Sequence, residues 1–316
     1  MPDSPASPAP DPSPQSSGPS SSASPAPRKH VHIPVLLQEV LTSLELRPGL
    51  TVVDGTVGAA GHSRKILEKI RPGGTLIGLD RDSLMLGFAA QFVGGEQVYL
   101  LQRSYSELPE VLKLLQIRQV DRILVDLGLS SDQLADRQRG FGIQAGGPLD
   151  LRFDTRQGIP AAEYLQTVSA KDLSEVFREY GEEPLAEKIA NAIVDRRRSA
   201  PVATSEDLAE LVQRIKGGRG DIHAATQVFQ ALRIAVNREF DHLRTFLADV
   251  LPACLASGGL AAVITFHSLE DRLVKETFRE SERWDNLTKK PLVASPAEVR
   301  LNPRSRTAKL RVARLR

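Results

Sequence analysis

Two short stretches of this 316-residue chain carry residue types that could hold and position a reactive ligand. The first is Asp54-Gly55-Thr56-Val57-Gly58-Ala59-Ala60-Gly61-His62-Ser63, entered from the apolar pair Val52-Val53; the second is Leu76-Ile77-Gly78-Leu79-Asp80. Gly55, Gly58 and Gly61 let a backbone turn sharply and approach a ligand, and an acid ending the next strand can accept hydrogen bonds from both hydroxyls of a ribose. The spacing is G-x-x-G-x-x-G, not the G-x-G-x-x-G that aims a helix N-terminus at a pyrophosphate. Asp54 stands directly before the glycines, and a carboxylate at that mouth would repel a pyrophosphate. It suits a cationic ligand such as the sulfonium and amino group of S-adenosylmethionine.

Two further stretches have the same form, a buried strand running into polar residues. Ile123-Leu124-Val125-Asp126 continues into Leu127-Gly128-Leu129-Ser130-Ser131-Asp132-Gln133, and Val263-Ile264-Thr265-Phe266 into His267-Ser268-Leu269-Glu270-Asp271-Arg272. In open α/β sheets ligands bind at the carboxyl ends of the strands, which places Asp126 beside the glycine loop and points His267 into the same crevice. Asp126 could hydrogen-bond a donor's amino group or a target amine, or simply cap a helix; His267 is equally well a structural histidine. Ser268 lacks the G-x-S-x-G elbow of a triad nucleophile, and the six histidines offer no H-E-x-x-H spacing, so no metal is expected.

The loops Arg137-Gln138-Arg139-Gly140-Phe141-Gly142 and Pro148-Leu149-Asp150-Leu151-Arg152-Phe153-Asp154 mix arginines with aromatics. Arginine for phosphate and aromatic faces for stacking would hold an unpaired base, although Phe141 and Phe153 serve equally well as core. From Arg300 to Arg316 there are seven positive charges and no acid. That segment, with Arg304 and Arg306, is either a phosphate-contacting patch or a solvated terminal strand.

The elements that must position these groups follow from hydrophobic periodicity. A first helix is expected over about Leu36–Leu44, and strands over Thr51–Asp54, Thr75–Leu79, Gln97–Leu101 and Arg122–Asp126. Helices near Ser63–Ile70, Ser83–Gln91 and Leu108–Leu115 alternate with them, which reads as a parallel, doubly wound α/β sheet. The alternation stops over Asp136–Glu239. Helices are expected there at Lys171–Tyr180 behind Ser169, Leu185–Arg198, Glu206–Ile215 behind Thr204, and from about Ala224, with no strand. Regular order returns with a helix Leu243–Leu255, a strand Leu260–Phe266, a helix Asp271–Arg279 and a strand near Lys309–Ala313. The division is therefore a sheet domain over 30–135 and 240–316, interrupted by a helical insertion at 136–239 that carries 16 acids against 15 bases.

Residues 1–29 hold nine of the 21 prolines among serines and alanines, a composition that cannot bury enough surface to offset its ordering entropy and reads as a disordered tail. The net charge of +2 advertises no global basic field, and the single cysteine, Cys254, excludes intrachain disulfides and fits the cytoplasm. No apolar run reaches the ~18 residues a membrane span requires.

Taken together these stretches resemble the bacterial 16S ribosomal RNA cytosine-N4 methyltransferases. The residues that carry the resemblance include His32-Ile33-Pro34-Val35-Leu36-Leu37, the glycine loop, Asp126–Ser131, Arg139-Gly140-Phe141, Gly147–Arg152, Tyr180-Gly181-Glu182-Glu183, Phe229–Ile234, Phe266–Arg272 and Asn302-Pro303-Arg304-Ser305-Arg306. They run in order from about residue 30 to the C-terminus.

The resemblance implies a Rossmann-like class I methyltransferase sheet with an inserted helical substrate-recognition domain. Its activity would be transfer of a methyl group from S-adenosyl-L-methionine to the exocyclic N4 of one cytidine in the decoding region of 16S rRNA, cytidine 1402 in the usual rRNA numbering. It implies a donor site of Ala60, Gly61, His62, Asp80, Tyr105, Asp126 and Gln133. Asp126 and His267 are then the catalytic candidates, and Arg139, Phe141, Arg152, Phe153, Arg304 and Arg306 the candidates for holding RNA.

The implied partner is 16S rRNA, within the small ribosomal subunit, with no membrane; an oligomer is compatible. The chain departs from the family in two places: Ala60 where glycine is usual, and Ala224 and Gln227 near where a proline and an arginine stand. DNA amino-methyltransferases place a Pro-Pro-aromatic run after the equivalent acid, whereas Leu127-Gly128-Leu129 stands here, so stacking of the base falls to Phe141 or Phe153. A non-catalytic assembly factor would have no need of a donor pocket.

Overall fold

The structure, a computed structural model, describes residues 33–143, 146–217 and 224–316. The Pro/Ser/Ala-rich stretch 1–29, His32 and His223 lie outside the described residues.

Helix α1 (Leu37–Ser43) leads into β1 (Thr51–Asp54), the glycine turn, α2 (Gly61–Ile70), β2 (Thr75–Asp80), α3 (Ser83–Ala89) and β3 (Val98–Gln102). A short 3-10 turn at Tyr105–Glu107 precedes α4 (Leu108–Leu114), β4 (Val120–Asp126) and α5 (Ser131–Ala135). The strands are short, nearly continuous apolar runs because helices cover both sides. Val52 and Val53, adjacent in β1, enter two different cores on opposite faces of the sheet.

The segment 136–238 is helical: α6 (Ala161–Thr167), α7 (Ala170–Gly181), α8 (Ala186–Arg196), α9 (Ser205–Lys216) and α10 (Thr226–Asn237). Ser169 and Thr204 cap α7 and α9, each accepting a hydrogen bond from the backbone N–H three residues on. Among the described residues this segment holds no strand, only an isolated bridge between Pro148 and Thr204. Its apolar side chains, Phe177, Ile189 and Leu232 among them, form a core of their own, although residues 32–316 cohere as one compact unit.

After it come α11 (Glu239–Thr245), α12 (Leu251–Cys254), β5 (Leu255–Thr265), α13 (Ser268–Thr277), β6 (Trp284–Asn286), β7 (Leu292–Val293), α14 (Pro296–Leu301) and β8 (Lys309–Leu315). The single helix expected over Leu243–Leu255 starts earlier and is divided by a π turn at Phe246–Val250. Pro252, which lacks an N–H to donate, sits where the tighter helix resumes. β5 begins at Leu255, not Leu260, because Gly258, at φ 76°, lets the strand shift register against β4 and continue.

The sheet has eight strands in the order β3-β2-β1-β4-β5-β8-β6, with β7 also on β8. β1 to β5 are parallel; β8 runs antiparallel to β5 and carries β6 and β7 antiparallel to itself. The order reverses between β1 and β4, the topological switch point where a doubly wound sheet opens a ligand crevice. The basic C-terminal stretch is thus no loose tail: β8 is an interior strand, and Arg311, buried, pairs with Asp271 at 2.6 Å. Among the described residues no helix is long and apolar enough to cross a membrane.

Candidate active site

A cleft of about 980 Å³, counting its open mouth, lies at the switch point. The glycine turn forms its floor. Gly55 N donates to Leu124 O at 2.8 Å and Val57 N to Leu79 O at 2.8 Å, which fastens the turn to the strands on both sides of β1. Gly58, at φ 50°, brings its N–H to Asp80 Oδ2 at 2.9 Å. Ala60 holds a left-handed conformation at φ 63°, which is strained for any residue with a Cβ and would favour glycine. Thr56 Oγ1 accepts the Asp126 backbone N–H at 2.7 Å, so the turn also sets where β4 delivers its acid.

Ala59, Gly61, His62, Asp80, Tyr105, Asp126 and Gln133 line the cleft, and Ala60 is buried behind it. Tyr105 packs edge-on against Phe246 at 5.2 Å, and burial drives its hydroxyl far above the usual phenol range. Gln133 closes a capping box with Ser130 and donates Nε2 to Asp82 Oδ2 at 2.9 Å. His62 donates Nε2–H to Val35 O at 2.9 Å, and its Nδ1 stands 3.7 Å from Asp126 Oδ2.

The acids are held in unusual states. Burial pushes Asp80 up to about 7, against the pull of the N–H bonds from Asp82 and Gly58. Asp126 is pushed up to about 8 by burial first and then by the Asp54 carboxylate, with the Arg304 guanidinium opposing. Oδ1 of Asp126 is buried with no hydrogen-bond partner among the described residues. A cation in the cleft would restore the charged form of both acids, and Glu239 adds a third carboxylate to the lining.

Several expectations are corrected here. Asp54 is not at the mouth; it is buried beneath the turn, accepts Ser63 Oγ–H at 2.7 Å, and is pushed up to about 6 by burial. The acids that line the cleft are Asp80, Asp126 and Glu239, the last paired with Arg233 at 2.7 Å. His267 does not line the cleft: its ring caps α13, lies 3.0 Å from Glu270 Oε1 and packs edge-on against Phe240. Arg139 is buried in ion pairs with Asp82 (2.6 Å) and Asp136 (2.8 Å), which leaves its charge spent within the protein. Phe141 is a core residue, 4% exposed. Arg152 is held in a two-pronged pair with Asp150. Of the expected RNA-holding residues, Phe153 and Arg304 reach the cleft; Arg306 is exposed outside its lining.

Other lining residues were not singled out as site residues from sequence: Pro34, Val35, Arg81, Phe266 and Glu239. Pro34 and Val35 carry no chemistry, and only their place in the motif before α1 marked them. Arg81 directly follows Asp80, where a strand end gives a side chain to the crevice. Glu239 carried no signal; a left-handed Arg238, at φ 51°, turns the chain between α10 and α11 and brings it in.

A doubly wound sheet whose switch-point cleft offers a glycine turn with an acid at the end of the strand on either side of it defines a Rossmann-like enzyme. The chain belongs to the MraW methylase family, whose model matches residues 29–316, and it is a methylase. It is 47% identical over 286 residues to Ribosomal RNA small subunit methyltransferase H of Cyanothece sp., covering 90% of this chain and 94% of that one. The protein of the same name from Trichlorobacter lovleyi is 44% identical over 307 residues, covering 89% and 97%. Among solved structures, TrmN from Thermus thermophilus matches at a TM-score of 0.41 and 15% identity, over 89% of this chain and 48% of that one; the assignment rests on the sequence relatives.

Proposed function

We propose that this methylase transfers a methyl group from S-adenosyl-L-methionine to the exocyclic N4 of a cytidine in 16S rRNA, one cytidine of the decoding region, in the cytoplasm. The names of its relatives support small-subunit rRNA as the substrate. The observation that carries the chemistry is Asp126, an acid with a buried, unpartnered oxygen at the switch point beside the glycine turn.

The residues present fit the donor. Gly58, Gly61 and His62 would hold it along the turn, Asp80 at its ribose, Tyr105 at its base, and Asp126 and Gln133 at its amino-acid end. When bound, the donor supplies an electrophilic methyl group on a sulfonium, so the protein's work is to align the nucleophile and exclude water.

The lone pair of a cytosine N4 is delocalised into the ring until an acceptor holds one of its N–H bonds. Asp126 is placed to be that acceptor once the cationic donor has restored its carboxylate, and as a carboxylate it can take up the proton the amine releases. Of the two rings, Phe153 and not Phe141 lines the cleft where an unstacked base would sit, while Arg304 supplies a cation there. The helical segment 136–239, with a core of its own, is the substrate-recognition insertion. Extruding the base is cheapest from a single-stranded or irregular region of the RNA.

Mass spectrometry of 16S rRNA fragments tests this. In cells lacking the protein one methyl mass should vanish from one cytidine and return with the intact chain but not with Asp126→Ala. Unchanged rRNA would sink the reading.

A further inference from the structure

Among the described residues between 136 and 238, Phe153 alone lines the cleft. It sits in a loop, just after Leu151, which is itself left-handed at φ 62°. Side chains on loops hold a productive geometry only when neighbouring groups lock them. Here the locking groups are Asn237, at the end of α10, and the turn Asp80-Arg81-Asp82 at the end of β2, which itself grips Asn237.

Arg81 donates Nη1–H to the backbone oxygen of Asn237 at 2.7 Å, and its guanidinium carbon lies 5.6 Å from the centre of the Phe153 ring. Asn237 in turn accepts the Phe153 N–H on Oδ1 at 2.8 Å and donates Nδ2–H to Leu151 O at 2.6 Å. Asp82 accepts Arg139 Nη1–H at 2.6 Å, and the Arg139 guanidinium lies 5.4 Å from the centre of Phe141. Phe141 stacks on Phe153 with centroids 5.7 Å apart and planes at 24°. The contacts close a ring: Asp82, Arg139, Phe141, Phe153, Arg81, and back along the chain. The remaining member of the turn, Asp80, accepts hydrogen bonds from Gly58 N and from Asp82 N, both at 2.9 Å.

We propose that the Asp80-Arg81-Asp82 turn couples the donor site to the acceptor-base site, with Arg81 and Asp82 as positioning residues that aim Phe153 at the base. The inference rests on the functional reading above. A donor engaging Asp80 loads the turn whose other two residues grip the stack, Arg81 directly and Asp82 through Arg139, so donor binding tightens the RNA site. By linkage, RNA then tightens donor binding by the same factor. Arg81 contributes through charge, planar face and hydrogen bond together, which a neutral chain of similar length cannot reproduce.

The test uses the full chain, S-adenosylhomocysteine as the donor-site probe by calorimetry, and labelled methyl transfer to 16S rRNA in small subunits. Arg81→Met should keep the probe Kd within about 3-fold while kcat/KM for RNA falls on the order of 100-fold, the scale of a small misplacement at a reacting centre. The probe should no longer raise RNA affinity in that variant, and Arg81→Lys, which keeps a cation and a donor, should recover most of both. Phe153→Leu, which leaves the turn untouched, should reproduce the pattern and guards against misfolding of the arginine variant.

Parallel loss of probe binding and RNA turnover in Arg81→Met would overturn the coupling, as would unchanged RNA kinetics. A wild-type chain that binds no probe and methylates no rRNA would overturn the functional reading and this proposal with it, an outcome visible before any variant is made.

Discussion

Gly61 approaches Pro34 so closely that a Cβ on it would stand 2.8 Å from Pro34 Cγ, inside any tolerable contact. The first residue of α2 and the segment before α1 thus form one corner of the cleft, and the corner closes because one partner has no side chain. Gly61→Ala should favour the helix by roughly 1 kcal/mol of propensity, offsetting much of the strain, so global stability should change little. Donor affinity should fall about tenfold as Pro34 is pushed outward, a loss of ~1.4 kcal/mol. Denaturant unfolding and calorimetry on the same variant separate the two; tight donor binding in Gly61→Ala would show that Pro34 is not part of the donor wall.

The pH dependence of stability carries a definite sign. Below pH 3.8 Asp80 and Asp126 are protonated in both states; above it the unfolded chain releases these protons while the fold keeps them until about 7 and about 8. Stability tied to these groups is therefore lost as pH rises from about 4 to 8, the opposite of a salt-bridged carboxylate. Asp126→Asn cannot titrate, so wild-type stability measured against the variant should decline across that window and level off above it. A saturating cationic donor should shrink the decline. Parallel curves for the two proteins would show that Asp126 ionises normally in the fold.

Phe141 and Phe153 stack on one another yet should fail differently. Phe141→Ala opens a cavity in the insertion core and should cost about 3–5 kcal/mol in denaturant unfolding. Phe153, part-exposed at the cleft, should cost less on removal and lose RNA turnover with donor binding kept. Equal stability losses, or loss of donor binding with Phe153→Ala, would return Phe153 to the core.

Where the sequence was legible, local chemistry decided the structure. β1 ends at Asp54 as its apolar run ends, and Ser169 and Thr204 start their helices as their hydroxyls require. Glycine spacing located the cleft floor, and Asp80 and Asp126 stand where strand ends should put them. What stayed hidden depends on partners distant in sequence. Asp54 turns away from the mouth because Ser63 holds it, Arg139 is spent on Asp82, and His267 is drawn to Glu270. Glu239 enters through a backbone twist at Arg238 that no periodicity announces. The strand near Lys309–Ala313 was legible, but its interior place between β5 and β6 was not, because Arg311 is buried only through its pairing with the distant Asp271.

Pro34 and Val35 are held in place from the far end of the molecule: Glu298 accepts the Leu36 N–H at 2.8 Å, and Asn302 donates to Ile33 O at 3.0 Å. During translation the glycine turn and both pocket acids emerge long before these clasps do. The wall of the cleft that Pro34 and Val35 form is therefore fastened only by contacts that span more than 260 residues of chain, so its closure waits on α14 and Asn302 being in place.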